Sequence, residues 1–443
     1  MSQNLKYDTT SEEYRRFLLN YARQRIASKN FYDADFALQV SQSRYPNDAV
    51  SYNLQAMLAY RMGLYEYGLF FVKKSLEIDP SLAKAQENLT TIEKAYYADQ
   101  AKQSTSQSKQ STSQSKQSTS EEKFFLINSW GSGLGFDLLY LMQQLLLAEL
   151  SERQPVIYWG GNSLYNDQTD RDCFAQYFES VNALTIDDVT AYLPDVYPLH
   201  WQKRNLKDYI RRTRWRNTRN NQQYKIGGAY FLNRPEKLVV GGEYASVGML
   251  RPWLLADNHR YADTKVGDIY RDLVRRYIRP KQHLYDKANA FIQKNFADQA
   301  YIAIHLRGTD KHNEKQSSSI ENINHDLIQQ VKNSPDHLPI FLMTDDKAQL
   351  SLMQAMFSER LYSFNFERSD NQQQGMHYTS KNKSKMTEDV ILDMLVATRS
   401  SHFYGCGLSY LACMVSYMQA SKNSSTLLPF DVMTRFVDIP MPS

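Results

Sequence analysis

The chain has 443 residues, 42% of them apolar and 23% charged, with a formal net charge of +4. That length exceeds one ordinary hydrophobic core and implies two or three domains, while so small a basic excess does not by itself argue for nucleic acid. Cys173, Cys406 and Cys413 sit at unrelated spacings that supply neither a disulfide framework nor a zinc pattern, and no run reaches the roughly 18 apolar residues of a membrane span.

Met1 to Tyr14 is polar and acidic with no apolar h-region, so a secretory signal is not expected and a reducing cytoplasm is. Residues 12 to 98 read as helix with a repeat. Pro46 and Pro80 lie 34 residues apart, the period of tetratricopeptide helix pairs. Counted back from Pro80, Gly63, Tyr65, Gly68 and Leu76 fall where such a repeat places a turn glycine, an aromatic and small or apolar packing residues. Counted back from Pro46, Phe31 and Ala34 fit, but the turn position holds Lys29. Ser81 to Ala98 is expected as a solvating end helix, because stacked repeats need a polar cap. A generic helical bundle is the plainer alternative.

Lys102 to Ser120 is a tandem of Lys-Gln-Ser-Thr-Ser-Gln-Ser with no apolar position for a coiled-coil seam. It cannot bury enough surface to order itself, so residues 101–122 are expected as a flexible linker after a helical domain at 1–100. From Phe124 short apolar runs alternate with amphipathic helices, the pattern of α/β layers. Strands are expected at Phe124–Asn128, Pro155–Trp159, Lys237–Val240, Ile302–His305, Ile340–Met343 and His402–Tyr404. Helices are expected at Phe136–Leu150, Asp268–Tyr277, Leu284–Asn295, Lys347–Phe357, Thr387–Thr398 and Tyr410–Met418. This portion suits two α/β domains facing a cleft, at 123–285 and 286–443.

Four segments could carry chemistry. Gly131-Ser132-Gly133-Leu134-Gly135 stands between a strand and a helix start, where bare amides and the helix dipole make an anion site; a tight packing turn is the plainer reading. Its spacing is not that of the dinucleotide fingerprint. His305, Arg307, Asp310, Lys311 and Glu314 follow a strand end, where open α/β sheets bind ligands, and an arginine there matches phosphate oxygens. A carboxylate beside a lysine can act as general base on a hydroxyl, although Glu314 also reads as merely solvated. After the strand at Ile340, one of Asp345 and Asp346 caps the next helix, leaving the other to orient Arg307 or meet ligand. Asp389 and Asp393 share a helical face, with the surface reading suiting Asp389 better, and Gly405 to Ser409 repeats the strand, glycine and helix pattern. Lys203 to Arg219 mixes arginines with Tyr209 and Trp215, but one such stretch without a nucleic-acid fold motif reads as a cleft wall or acceptor loop. Asp170-Arg171-Asp172 has the spacing of a metal pair but no strand delivers it, so no metal is expected.

Taken in order, these segments resemble the fucosyltransferase superfamily of α1,6-, nodulation and protein O-fucosyltransferases. His305-Leu306-Arg307-Gly308-Thr309-Asp310-Lys311 is similar to the family's H-V-R-R-T-D-K, Thr344-Asp345-Asp346 to its T-D-D, Val390-Ile391-Leu392-Asp393 to its V-I-L-D, and Leu408-Ser409 falls on its S-S. Gly131 to Gly135 resembles its amino-terminal glycine loop. Gly308 replaces the second arginine, Lys315 holds the glutamate position with Glu314 one short, and Tyr410 replaces the glutamine after S-S. The resemblance implies a GT-B pair of Rossmann-like domains and inverting, metal-independent transfer of a sugar from GDP-fucose or another nucleotide sugar, with no cofactor. It places Arg307 on the β-phosphate, His305 and Asp393 on the guanine side, Ser409 on a phosphate, Gly133 and Gly135 at the pyrophosphate, and Lys311 with a nearby glutamate at the attacking hydroxyl. The acceptor is expected to be a glycan or protein hydroxyl, in envelope polysaccharide synthesis or protein glycosylation. The helical repeats are expected to serve partner docking or self-association. A non-catalytic scaffold carrying a degenerate transferase domain is the alternative.

Overall fold

The structure is a computed structural model. It describes residues 12–110, 122–167, 171–207, 231–232, 234–242, 247–297, 299–308, 317–335, 337–370, 375–420 and 422–429. Five helices open it: α1 (Glu12–Ala27), α2 (Phe31–Arg44), α3 (Ala49–Arg61), α4 (Tyr65–Ile78) and α5 (Ala83–Gln110). The turn after α3 passes through Gly63 at φ +78°, and the turn after α1 passes through Lys29 at φ 56°. These two positions keep the spacing of Pro46 and Pro80, so one turn geometry recurs with glycine in one copy and a strained L-residue in the other.

The fifth helix differs from expectation. It continues through Lys102 to Gln110, into the stretch assigned to a linker. Prolonging a helix adds a hydrogen bond for each residue fixed without the nucleation penalty, so polar Lys-Gln-Ser sequence can extend what it would not start. Residues 111–121 of that stretch lie outside the described residues.

Two sheets follow, and every strand pairing in them is parallel. The first, in the order β2-β1-β4-β3, contains β1 (Phe124–Asn128), β2 (Gln154–Tyr158), β3 (Val196–Tyr197) and β4 (Leu238–Val240). Among them run the helices α6 (Leu134–Leu150), α7 (Cys173–Tyr177) and α8 (Ile186–Val189). Three more, α9 (Val247–Ala256), α10 (Val266–Tyr277) and α11 (Gln282–Asn295), lead to the second sheet. That sheet contains β5 (Ile302–His305), β6 (Ile340–Met343), β7 (Leu361–Tyr362), β8 (His402–Cys406) and β9 (Ser424–Leu428) in the order β7-β6-β5-β8-β9. Its helices are α12 (Ser317–Lys332), α13 (Lys347–Phe357), α14 (Met376–Thr379), α15 (Lys383–Ala397) and α16 (Tyr410–Met418). β5 and β6 are buried at every position, as parallel strands covered on both faces must be.

The expected strands and helices are all present, with ends shifted by a few residues. The expected break at 285/286 falls inside α11, which packs on α15 of the second sheet's layer. The segment ahead of it still pairs with the first half, since Glu179 N donates to Arg279 O at 2.8 Å and Lys281 N to Tyr177 O at 2.9 Å. α11 therefore packs with the second sheet's layer, while the residues just ahead of it pair with the first half.

Two contacts tie these parts together. α16 packs on α6 and α10, with Tyr417 stacked on Tyr270 at 5.1 Å between ring centroids. The helical arm docks through α2 and α4 onto α9. There the indole of Trp253, fully buried, meets Tyr67 and Phe71 edge-on at 5.1 and 5.4 Å, and Tyr67 OH donates to Asp257 Oδ1 at 3.2 Å. One hydrophobic core consequently runs from the arm into the α/β portion.

Candidate active site

In the second sheet the strand order reverses between β5 and β8, and a crevice opens beyond the carboxyl ends of strands at such a switch point. Arg307 follows β5 and Ser409 follows β8. Arg307 Nη1 donates to Ser409 Oγ at 2.9 Å, bridging that reversal. The backbone of Arg307 is fixed from α12: its amide donates to Asn324 Oδ1 at 3.3 Å, and Asn324 Nδ2 donates to its carbonyl at 2.8 Å. Ser409 is fully buried and is the N-cap residue of α16, yet its hydroxyl makes no cap hydrogen bond and instead accepts from the guanidinium. A fixed cation thus sits at the positive end of a helix, an arrangement that favours an anion between them.

The other site residues surround this pair. His305, nearly buried at the end of β5, has its pKa lowered to about 3 by burial, with the Arg307 charge adding to the fall. It is neutral near pH 7 and offers one donor and one acceptor. Asp393, on α15, has its carboxyl raised well above the usual range by burial, with nearby Asp389 adding to the rise and Arg368 opposing it. Arg368 is 7% exposed and donates to the carbonyls of Thr344, Phe366 and Phe364 at 3.1, 3.2 and 2.9 Å. It holds the loop after β7 against the end of β6, and its charge opposes the rise at Asp393.

Several expectations are corrected. Asp389 is not a surface residue; it is buried and ion-paired with Lys385 one helical turn earlier. Of the pair Asp345 and Asp346, one of which was expected to cap the next helix, Asp346 is the cap of α13, its Oδ1 accepting from the amides of Ala348 and Gln349 at 2.7 and 3.3 Å. Gly308 stands where the family pattern has arginine, and a Cβ there would lie 2.5 Å from Asp346 Cβ. The two loops approach so closely that no side chain fits at 308 without backbone movement.

The glycine loop differs most. Asp137, fully buried, folds back from α6 over the loop. Its Oδ2 accepts from Ser129 Oγ at 2.9 Å and from Gly131 N at 3.3 Å, and its Oδ1 accepts from Ser132 N at 3.1 Å. Leu134 N donates to Tyr165 OH at 2.6 Å. Most of the amides expected to be bare are therefore engaged within the protein. Gly135 faces α16: a Cβ on it would lie 2.4 Å from Leu411 N and 2.7 Å from Tyr410 C. This residue is a close-packing point between α6 and α16 rather than an open face towards a pyrophosphate. Gly133 remains open, with a Cβ there 3.9 Å from Tyr165 OH.

Contact through Gly135 brings the two halves of the site together. It seats the start of α6 on the start of α16, whose cap Ser409 is held by Arg307, and Phe136 meets Tyr410 edge-on at 4.9 Å. His305, Arg307 and Ser409 thus lie together at the ends of β5 and β8, and Gly133 stands two residues before the Gly135 contact. Lys311 and Glu314 lie outside the described residues, as do most of the basic residues in 203–219. Asp172 caps α7, accepting from Phe174 N at 3.0 Å and Trp159 N at 2.9 Å. Tyr165, Asp137, Asn324 and Arg368 were not reached from the sequence. A signal existed for Asp137 alone, as an acidic residue one turn into a helix that follows a glycine loop.

No family model matches the chain, and no curated protein matches it. Among solved structures, it is similar to a NodZ α-1,6-fucosyltransferase soaked with GDP-fucose, at 17% identity over 67% of this chain and 93% of that one, with a TM-score of 0.46. It is also similar to a variant of Arabidopsis thaliana FUT1 in complex with GDP, at 11% identity over 70% of this chain and 71% of that one, TM-score 0.43. POFUT1 in complex with GDP is a third, at 14% identity over 70% of this chain and all of that one, TM-score 0.40.

Proposed function

We propose that the chain is an inverting, metal-independent glycosyltransferase that moves a sugar, fucose from GDP-fucose, onto a hydroxyl of a glycan or protein. The reading rests on one observation above the others. A guanidinium bound to the cap serine of a buried helix spans the switch point of a parallel sheet. A nucleoside diphosphate leaving group develops charge as the glycosidic bond breaks, and fixed donors that need no reorganisation stabilise it. In this reading Arg307 and Ser409 hold the diphosphate, neutral His305 and Asp393 read the base, and Gly133 admits the pyrophosphate from the opposite wall. Lys311 and Glu314 assist the attacking hydroxyl. The helical arm is a tetratricopeptide-like module, and the protein works in the cytoplasm on polysaccharide or protein acceptors.

Charge-assisted hydrogen bonds contribute roughly 1.5–3 kcal/mol each, so Arg307→Ala is expected to weaken GDP binding by about 10- to 150-fold. Calorimetric titration with GDP and UDP, together with nucleotide release from GDP-fucose in the presence of EDTA, measures this. Unchanged GDP affinity in the variant rules out the assigned role. A second reading, the non-catalytic scaffold, is favoured by the engagement of the Gly131, Ser132 and Leu134 amides, which leaves few donors on the glycine-loop wall. Nucleotide binding without release from GDP-fucose in the parent protein selects that reading.

A further inference from the structure

We propose that a cavity against the outer edge of β2 binds an extended peptide of a partner protein, with one apolar residue inside it and a basic neighbour at its mouth. The inference goes beyond the transferase reading and does not depend on it, because none of His305, Arg307, Ser409 and Gly133 lines this cavity. β2 is an edge strand of the first sheet and, among the described residues, pairs only with β1. Gln154 N donates to Lys123 O at 2.8 Å, and in the parallel register Phe124↔Gln154 the backbones of Gln154, Val156 and Tyr158 face β1. Pro155 and Ile157, with Trp159 just past the strand, therefore face outwards. Pro155 has no N–H, and its carbonyl accepts from Asn182 Nδ2 at 2.8 Å. Trp159 N donates to Asp172 Oδ1 at 2.9 Å, and the Trp159 carbonyl accepts from Cys173 N at 2.9 Å. Ile157 is left with an outward N–H and C=O that nothing among the described residues engages.

Ile157 borders a cavity of about 260 Å³. Its apolar wall is made by Phe174, Val181, Leu184 and Ile186, from α7, α8 and the turn between them. An unpaired N–H and C=O on one edge residue match one residue of a second extended chain, which is how exposed sheet edges take up peptides. With Pro155 and Trp159 closed, the pairing stops at that single residue, and the apolar wall selects an apolar side chain for it. Charge chooses the neighbour. Asp187 and Lys207 also line the cavity, paired at 2.8 Å with side chains 74% and 35% exposed, so the pair stands at the mouth. Ion pairs this exposed are weakly held, which leaves Asp187 able to turn to a ligand. Asp172 is the third charged lining residue, so two carboxylates stand against one ammonium. That excess complements a lysine or arginine on the peptide.

The test uses the full chain and saturation-transfer NMR with acetylated, amidated pentapeptides Thr-Lys-X-Thr-Thr and Thr-Thr-X-Lys-Thr, where X is leucine, valine or phenylalanine. At least one is expected to bind the parent. N-methylation of X removes the N–H that meets the Ile157 carbonyl and should weaken binding by about tenfold. Glutamate in place of the peptide lysine, and Asp187→Asn in the protein, should each weaken it by about threefold at low salt. Ala175→Phe fills the cavity from α7 and should abolish binding, with thermal unfolding confirming that the variant is folded. The site is overturned if no peptide binds the parent, if the N-methylated peptide binds as its parent does, if glutamate peptides bind better than lysine peptides, or if folded Ala175→Phe keeps its affinity. Should Ala175→Phe not fold, Ile157→Pro replaces it, since an edge strand accepts proline where the N–H faces out, and unchanged affinity in that variant overturns the site equally. GDP binding, titrated on the same samples, reports on the transferase reading alone.

Discussion

Two strand ends, those of β1 and β8, each lead through glycine into a helix, and the two helices meet at Gly135. At β8 the cap serine of α16 points away from its own helix and meets Arg307. At β1 the loop before α6 turns its amides onto the carboxylate of Asp137 and the hydroxyl of Tyr165. One edge joins two strand ends through a guanidinium, whereas the other has settled most of its donors on a buried carboxylate and a buried tyrosine. Backbone donors near a cleft are never simply available; each has to be traced to a partner before it is assigned to a ligand.

The largest expected effect tests that contrast directly. Asp137→Ala removes the common acceptor of Ser129, Gly131 and Ser132 and should destabilise the protein by about 3 kcal/mol or more, read from urea unfolding. Asp137→Asn keeps the volume and one acceptor oxygen, and should cost roughly half as much. GDP affinity decides the contrast. If the asparagine variant binds GDP about tenfold more tightly than the parent, the loop is a suppressed phosphate site, and the two edges are more alike than the structure makes them.

Gly135→Ala comes next. Its methyl group would meet the α16 backbone, which cannot rotate aside as a side chain can, so α6 and α16 must separate. A destabilisation of about 2–3 kcal/mol is expected, with weaker GDP binding as Ser409 moves relative to Gly133. Gly133→Ala is the control: its position is open and its φ of −61° suits any residue, so a change below about 1 kcal/mol is expected by thermal unfolding. Equal effects at the two positions would remove the packing argument for Gly135.

Much of this was legible in the sequence because the signals are local. Short apolar runs ending in polar or glycine-containing loops marked Phe124–Asn128, Ile302–His305 and Ile340–Met343 at their observed ends, and the turn at Gly63 stands where the repeat spacing places it. The missed elements are those whose signal is weak or whose cause is distant. β3 and β7 are two residues long, and β9 is a polar Ser-Ser-Thr-Leu-Leu strand that forms because β8 offers it an edge. Arg368 gives no sequence sign of its role, since three carbonyls from two segments define it. The partners of Asp137 lie nearby in sequence, but their convergence depends on a loop conformation that spacing does not reveal. The docking of the arm onto Trp253 was likewise invisible, because it joins residues far apart in the chain.

That docking supplies a pH-dependent prediction. Asp35 on α2 is buried beside Trp253 and accepts from Gln55 Nε2 at 2.9 Å; burial pushes its carboxyl up to about 7 from an ordinary 3.8, with the Gln55 bond opposing the rise. The folded protein thus holds this proton more tightly than the unfolded chain does. Its stabilising contribution is complete below about pH 4 and is lost as the pH climbs to about 7, so the charged carboxylate opposes folding at alkaline pH. Asp35→Asn should match the parent near pH 4 and exceed it by on the order of 4 kcal/mol at pH 8, in paired urea titrations. A constant difference across that range would show that the buried carboxyl does not titrate with folding.

The smallest effect compares the two turns of the arm. Gly63 reaches φ +78° freely, while Lys29 holds φ 56° with a Cβ that clashes with its own following carbonyl. Relief of that clash is worth about 1–2 kcal/mol, and the added freedom of glycine in the unfolded chain takes back roughly 0.4–1 kcal/mol. Lys29→Gly should therefore raise stability by about 0.5–1 kcal/mol, visible as a small rise in Tm, and Gly63→Lys should lower it by a similar amount. The effect reaches the α/β portion only because one core links the two, so both variants should shift a single cooperative transition. Two separate transitions, with only the first one moving, would show that the arm unfolds on its own and that its contact with Trp253 is weak.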